Sequence, residues 1–229
     1  MSFQRARRPE QMAERRAAIM AAAREMLVEK NVADISLREL SGRVGLAKSN
    51  VLRYFDSREA IFLEVLDEEF AAWLGDVERL LGRPRARKTG YANEIRVATG
   101  IADSLVERPL LCELIGSMAG ELERNISREF ARGFKAGAME KIAALAQLVA
   151  RHLPWLPAES TAFFAEGALA LTAGMYPFSV PTEPVRAAIA EIGFPDPGER
   201  FVEGLRVGLV TWLIGAAAQT TGVTDFADE

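Results

Sequence analysis

Residues 36–61, Ser-Leu-Arg-Glu-Leu-Ser-Gly-Arg-Val-Gly-Leu-Ala-Lys-Ser-Asn-Val-Leu-Arg-Tyr-Phe-Asp-Ser-Arg-Glu-Ala-Ile, restrict this chain more than any other stretch. Ser36 followed by Glu39 is the sequence of a capping box, which starts a helix. Leu37, Leu40 and Val44 give that helix an apolar face, and Gly42 and Gly45 fall where the chain must turn. Leu46–Phe55 then reads as a second helix, with Val51, Leu52 and Phe55 inward and Lys48, Ser49, Asn50 and Arg53 outward. The order is that of a helix-turn-helix whose second helix carries groups suited to phosphates and base edges.

Charge is distributed to match. The chain of 229 residues has a net charge of −4, which taken alone argues against a nucleic-acid partner. Residues 1–58, however, hold 12 Lys/Arg against 7 Asp/Glu, a balance of +5, while residues 59–229 hold 16 against 25, a balance of −9. A basic module is joined to an acidic one, as expected where only the first meets phosphates. The expected division is a helix-turn-helix domain over 1–58 and a second helical domain over 59–229. With 49% hydrophobic residues there is material for a sizeable core.

Helical periodicity runs throughout, and the expected class is all-α. Ile19, Ala22, Ala23, Met26 and Leu27 follow the spacing of an amphipathic helix over about 10–30. Asp56 or Ser57 opens a long helix to about Leu81. The basic stretch Gly82–Gly90 reads as a solvated loop. Helices are expected over about 91–106, 109–124, 127–153 and 159–178, the last ended by Pro177 and Pro181, and a short one follows from Thr182 to Ile192. Asp196-Pro197-Gly198-Glu199 has the form of a capping box with Pro at the first helical position, and opens a final helix to about Thr220. Cys112 is the sole cysteine, which excludes an internal disulfide and implies a reducing compartment. Val207–Ala218 is about half the roughly 20 residues of a membrane span, and Arg5, Arg7 and Arg8 are not followed by the apolar core of a signal peptide. The expectation is a cytoplasmic protein with no membrane partner.

Arg16 with Ile19, Ala22 and Ala23, then Gly45–Phe55, then Ser57-Arg58-Glu59 together resemble the TetR family of one-component transcriptional regulators. The resemblance covers about residues 12–70. It departs from the family pattern at Leu52, where a phosphate-binding Tyr is usual, at Tyr54, where His is usual, and at Arg58, which stands for Lys. The implied partner is double-stranded DNA. Lys48, Ser49 and Asn50 begin the segment that enters the major groove, Asn50 matching adenine and Lys48 guanine or phosphate. Arg53, Tyr54 and Arg58 look like phosphate contacts, Ser36 and Ser57 add helix N-termini, and Arg38 is placed near backbone or base. Arg5, Arg7 and Arg8 read equally as a minor-groove arm and as a plain basic tail.

Nothing in the sequence favours an enzyme. His152 is the only histidine and sits near a helix end, where a structural role is favoured; no metal or cofactor is expected. Cys112, among Leu110, Leu111, Leu114 and Ile115, reads as a small buried hydrophobe. Gly167, Ala170 and Gly174 share one helix face, as do Gly204, Gly208 and Gly215 on another, with Phe201, Leu205 and Trp212 supplying area. Two such helices from each subunit would pair as the family dimerises; the alternative is that these faces pack within one subunit. The resemblance also implies a cavity for a small, mostly apolar inducer, with Met118, Glu121, Trp155, Phe163, Phe164, Met175 and Tyr176 as its expected walls. The implied function is a homodimeric repressor of a palindromic operator, released by inducer. Alternatives are an activator of the same fold, or a helical lipid- or ligand-binding protein with a vestigial helix-turn-helix.

Overall fold

The structure, a computed structural model, describes residues 9–220, so Arg5, Arg7 and Arg8 lie outside the described residues. Within them the chain is helical with no strand. The helices are α1 (Pro9–Glu29), α2 (Leu37–Arg43), α3 (Lys48–Val51), α4 (Arg58–Leu81), α5 (Ala92–Val106), α6 (Pro109–Ser117), α7 (Arg128–His152), α8 (Ala158–Ser179), α9 (Glu183–Glu191) and α10 (Pro197–Thr220). A 3-10 turn (Val32–Asp34) links α1 to α2, and a π-helical turn (Met118–Leu122) extends α6.

Local chemistry explains the starts. Ser36 accepts from the Glu39 N–H at 3.2 Å and Glu39 accepts from the Ser36 N–H at 2.9 Å, which completes the capping box. Lys30 and the Ser36 backbone hold the Glu39 carboxyl down at about 2, so it stays ionised and keeps both bonds. Ser57, not Asp56, caps α4 by accepting from the Ala60 N–H at 3.1 Å. Asp196 caps α10, accepting from the N–H groups of Gly198 and Glu199 at 2.8 and 3.0 Å. Gly45 turns the chain at φ 68°, a conformation costly for any residue with a Cβ, whereas Gly42 lies within α2.

Three boundaries differ from the periodic reading. The expected helix over 46–55 narrows to Lys48–Val51; after it the chain tightens, with Arg53 and Tyr54 N–H groups bonding three residues back. In α8, Pro177 does not stop the helix, because it falls in the last turn and its ring seats against Gly116, where a Cβ would lie 3.2 Å away. And α6 ends at Ser117 in the wider π turn where a continuous helix was expected.

The apolar positions of α1 anticipated from spacing are all buried, and they join one core that continues along α4 into the second module. At about 36 Å, given 1.5 Å per residue, α4 is the shared spine. It packs against α1 at one end and against α5, α6 and α7 along the rest, and α8 and α10 close the bundle. Trp73, fully buried on α4, donates to Ser104 of α5 at 2.9 Å. Burial pushes the Cys112 thiol up to about 12, so it packs as a neutral side chain.

Candidate nucleic-acid interface

The helix-turn-helix is held as a rigid unit by Arg16. Its guanidinium lies 4.3 Å from the Phe55 ring centre and donates to the Tyr54 carbonyl and to Glu64 of α4. Val51 and Phe55 are buried beneath it. That fixes what the turn presents outward. Lys48, Ser49, Arg53 and Arg38 are exposed, and Asn50 and Tyr54 are half-buried with Gln11, Glu14 and Arg15 around a shallow depression of about 390 Å³. Leu52, expected inside, is 46% exposed on the same segment.

The charges here sort into two sets. Arg16, Arg24, Lys30, Arg43 and Arg58 each form an ion pair. Arg15, Arg38, Lys48 and Arg53 form none among the described residues, leaving their charge free for an external anion. Arg15 and Gln11 were missed in the sequence because α1 reads as a supporting helix, and only the fold brings its first turns beside Asn50.

Two of the expected DNA contacts are otherwise employed. The Ser36 hydroxyl and N–H are both taken by Glu39. Arg58, expected on a phosphate, is instead turned inward, with its side chain only 14% exposed. It donates to the Ile35 carbonyl at 2.7 Å, to Glu59 at 3.1 Å and to Glu121 at 2.6 Å. A residue at the head of α4 faces the acidic second module as readily as the DNA side, and here the two carboxylates win. Around it lie further links between the modules. The Ser127 N–H donates to Asp56 at 2.8 Å, and the Val32 N–H donates to Glu113 at 3.2 Å. One joint thus ties α6, the π turn and the start of α7 to the helix-turn-helix.

Beside that joint is a small cavity of about 70 Å³ with mostly apolar walls, including Leu66, Phe70, Ile115, Met118, Phe134 and Leu169, and with the Asp67–Lys141 ion pair (2.7 Å) also lining it. Of the expected pocket residues, Met118 alone lines it. Glu121 is bound to Arg58; Trp155 donates to Glu94 at 2.7 Å near the far end of α4; Phe164 is fully buried. Tyr176 packs edge-on to Phe201 with ring centres 5.3 Å apart, and burial raises its hydroxyl pKa to about 12. Phe163 is 63% exposed, and Met175 lines an open groove outside the bundle. These aromatic residues are dispersed because α8 turns its faces to different neighbours, which composition does not reveal.

The glycine faces are resolved as well. A Cβ on Gly167 would overlap the Trp212 ring, one on Gly204 would strike Met175, and one on Gly208 would lie 2.6 Å from Leu171. Gly167, Gly204 and Gly208 therefore let α8 and α10 approach each other inside one subunit, where Phe201 and Leu205 are also buried. Ala170 and Gly174 point away from this seam and are exposed, while Trp212 is half-buried within it. The outer face left open carries Phe163, Ala170, Gly174 and Phe178 on α8, and Val207, Thr211 and Gly215 on α10.

A family model described as "Bacterial regulatory proteins, tetR family" matches residues 19–65, and one described as "Tetracyclin repressor-like, C-terminal domain" matches residues 67–220. The chain belongs to the TetR family. Among solved structures it is similar to a protein from Mesorhizobium loti described as a TetR-family transcriptional regulator, with 13% identity over 90% of this chain and 98% of that one at a TM-score of 0.54. It is also similar to the fatty acid degradation regulator FadR from Bacillus halodurans, with 11% identity over 86% and 94% of the two chains at a TM-score of 0.51. At these identities the likeness shows the fold. No curated protein matches significantly in sequence. TetR regulators bind DNA, typically as dimers, and bind small molecules; they are in general not enzymes.

Proposed function

We propose that this TetR protein is a repressor that binds a palindromic operator as a homodimer and releases it when a small, neutral, apolar molecule enters the bundle. The observation that supports the DNA reading most is the sorting of cations within residues 9–58: Arg16, Arg24, Lys30, Arg43 and Arg58 form ion pairs, whereas Arg15, Arg38, Lys48 and Arg53 form none among the described residues and are exposed, Lys48 and Arg53 on the recognition segment and Arg15 beside Asn50. Lys48, Ser49 and Asn50 read base edges; Arg53, Tyr54, Arg38 and Arg15 hold phosphates. Dimerisation uses the outer α8/α10 face, since only 28% of the most apolar stretch of α10 is buried within the subunit. A cytoplasmic site of action follows from the DNA partner.

Release would run through the joint. Ile115 and Met118 line the cavity, and the same segment carries Glu113 and Glu121, whose bonds hold Val32 and Arg58. A ligand that spreads the cavity shifts this segment, and α4 with it, changing the separation of the two recognition segments. It acts only through its differential affinity for the two arrangements. A reporter fused to the protein's own promoter tests the repressor assignment: expression rises when the gene is removed. A fall on removal would instead assign an activator.

A further inference from the structure

The stretch between α8 and α10 carries an amphipathic helix none of whose residues is buried. Val185, Ala188 and Ile189 of α9, with Ile192 just after it, recur at helical spacing, while Glu183 and Arg186 pair with each other at 3.7 Å. Yet α9 has no buried residue, and Val185 and Ile192 are 49% and 75% exposed. A helix of nine residues is marginal on its own in water, so an apolar stripe of this kind calls for a surface to pack on.

Between α9 and the ends of α8 and α10 opens a groove of about 810 Å³, with Phe178, Ile189, Phe194 and Val207 among its walls. Gly174, Phe178 and Val207 belong both to this groove and to the outer α8/α10 face, so the two surfaces are continuous. Of the 13 large hydrophobic residues that are exposed among the described residues, seven lie in the α8–α10 stretch, a concentration that marks an interface. The face itself is built of small residues, Ala170, Gly174, Thr211 and Gly215, which permit close approach but supply little apolar area. Apart from Phe163 on α8, the large exposed side chains of this stretch are on and around α9 and at the groove rim. In a two-fold dimer each rim element is presented to the other copy.

We infer that α9 is an intersubunit clasp: its apolar stripe packs on a second copy of this chain, and the groove receives apolar side chains from that copy. This rests on the proposed dimer. The test uses the full-length protein, comparing hydrogen exchange at 183–192 at concentrations above and below dimer dissociation, and measuring that dissociation by sedimentation for wild type and for Val185→Asp/Ile192→Asp. The clasp predicts protection of these amides that disappears on dilution. It also predicts a dissociation constant raised about a hundred-fold in the double variant, from two lost apolar burials, with exchange in α4–α7 unchanged as the check on folding. Protection independent of concentration would mean that α9 closes on its own subunit and would overturn the proposal. Absent protection in an intact dimer, or an unaltered dissociation constant in the variant, would overturn it too. A wild type that is monomeric throughout would instead refute the dimer itself, and the clasp with it.

Discussion

Single residues separate the DNA contacts by role. Asn50→Ala removes a base-edge partner and is expected to cost about 1–3 kcal/mol on the preferred sequence while relaxing preference at one position. Arg53→Ala should weaken all sequences alike and lower the salt slope of binding by about one unit, read by fluorescence anisotropy across a salt series. Arg58→Ala makes the contrast, because its guanidinium is bound to Ile35, Glu59 and Glu121. It should leave the salt slope unchanged and instead destabilise the fold by about 2 kcal/mol in chemical denaturation. A lowered slope for Arg58→Ala would return that residue to the phosphate backbone. The sequence made the opposite assignment because the family pattern places a cation at that position, and a pattern does not say which way a side chain turns. Arg16 was visible in the same pattern, but its role as a clamp on Phe55 and Tyr54 emerges only from the packing.

His152 gives a pH test. Its ring is buried, and its Nδ1 lies 3.2 Å from the Arg96 guanidinium that also donates to the Leu81 carbonyl at the end of α4. Burial first, then the charges of Arg96 and Arg151, lower its pKa below the usual 6.5. The folded state therefore prefers neutral His152, while the unfolded chain takes up a proton near 6.5. Stability is full above that value and is lost as pH falls from about 6.5 through the folded pKa. His152→Gln should flatten this part of the stability profile; an unchanged profile would remove His152 as its source.

At the scale of elements, periodicity located the helices well wherever one face is buried, as in α1, α4 and α7. It failed where the decisive fact is a neighbour. The α8/α10 glycines were readable as close-approach positions, yet not as a seam within one subunit. Gly167→Ala should destabilise the fold by about 1–3 kcal/mol, because the new Cβ meets the buried edge of Trp212. Gly133→Ala, on the exposed side of α7, meets nothing within 4 Å and should instead gain up to about 1 kcal/mol of helix propensity. Thermal melts of the two variants decide between them, and equal effects would contradict the seam. The cavity was the least legible feature, since Leu66, Ile115 and Phe134 look like ordinary core positions on separate helices. Ala138→Phe fills it from within and is expected to mimic inducer, lowering operator affinity about tenfold in a folded protein. Operator binding at wild-type strength would uncouple the cavity from the joint.

For the whole molecule, the break in charge at residue 58 suggested a division of labour but not its mechanics. The core runs unbroken along α4, and Asp56, Arg58, Glu113 and Glu121 tie the modules together. On the proposed account these links transmit movement in the bundle to the recognition segment, and in a dimer to the spacing of two such segments. The most direct measurement is to capture duplexes from a randomised pool on the purified protein and sequence those retained. A sequence-specific dimer predicts enrichment of a short inverted repeat whose half-site centres lie about one helical turn, or a multiple of it, apart. Retention without any enriched sequence, or a single unrepeated half-site, would contradict it.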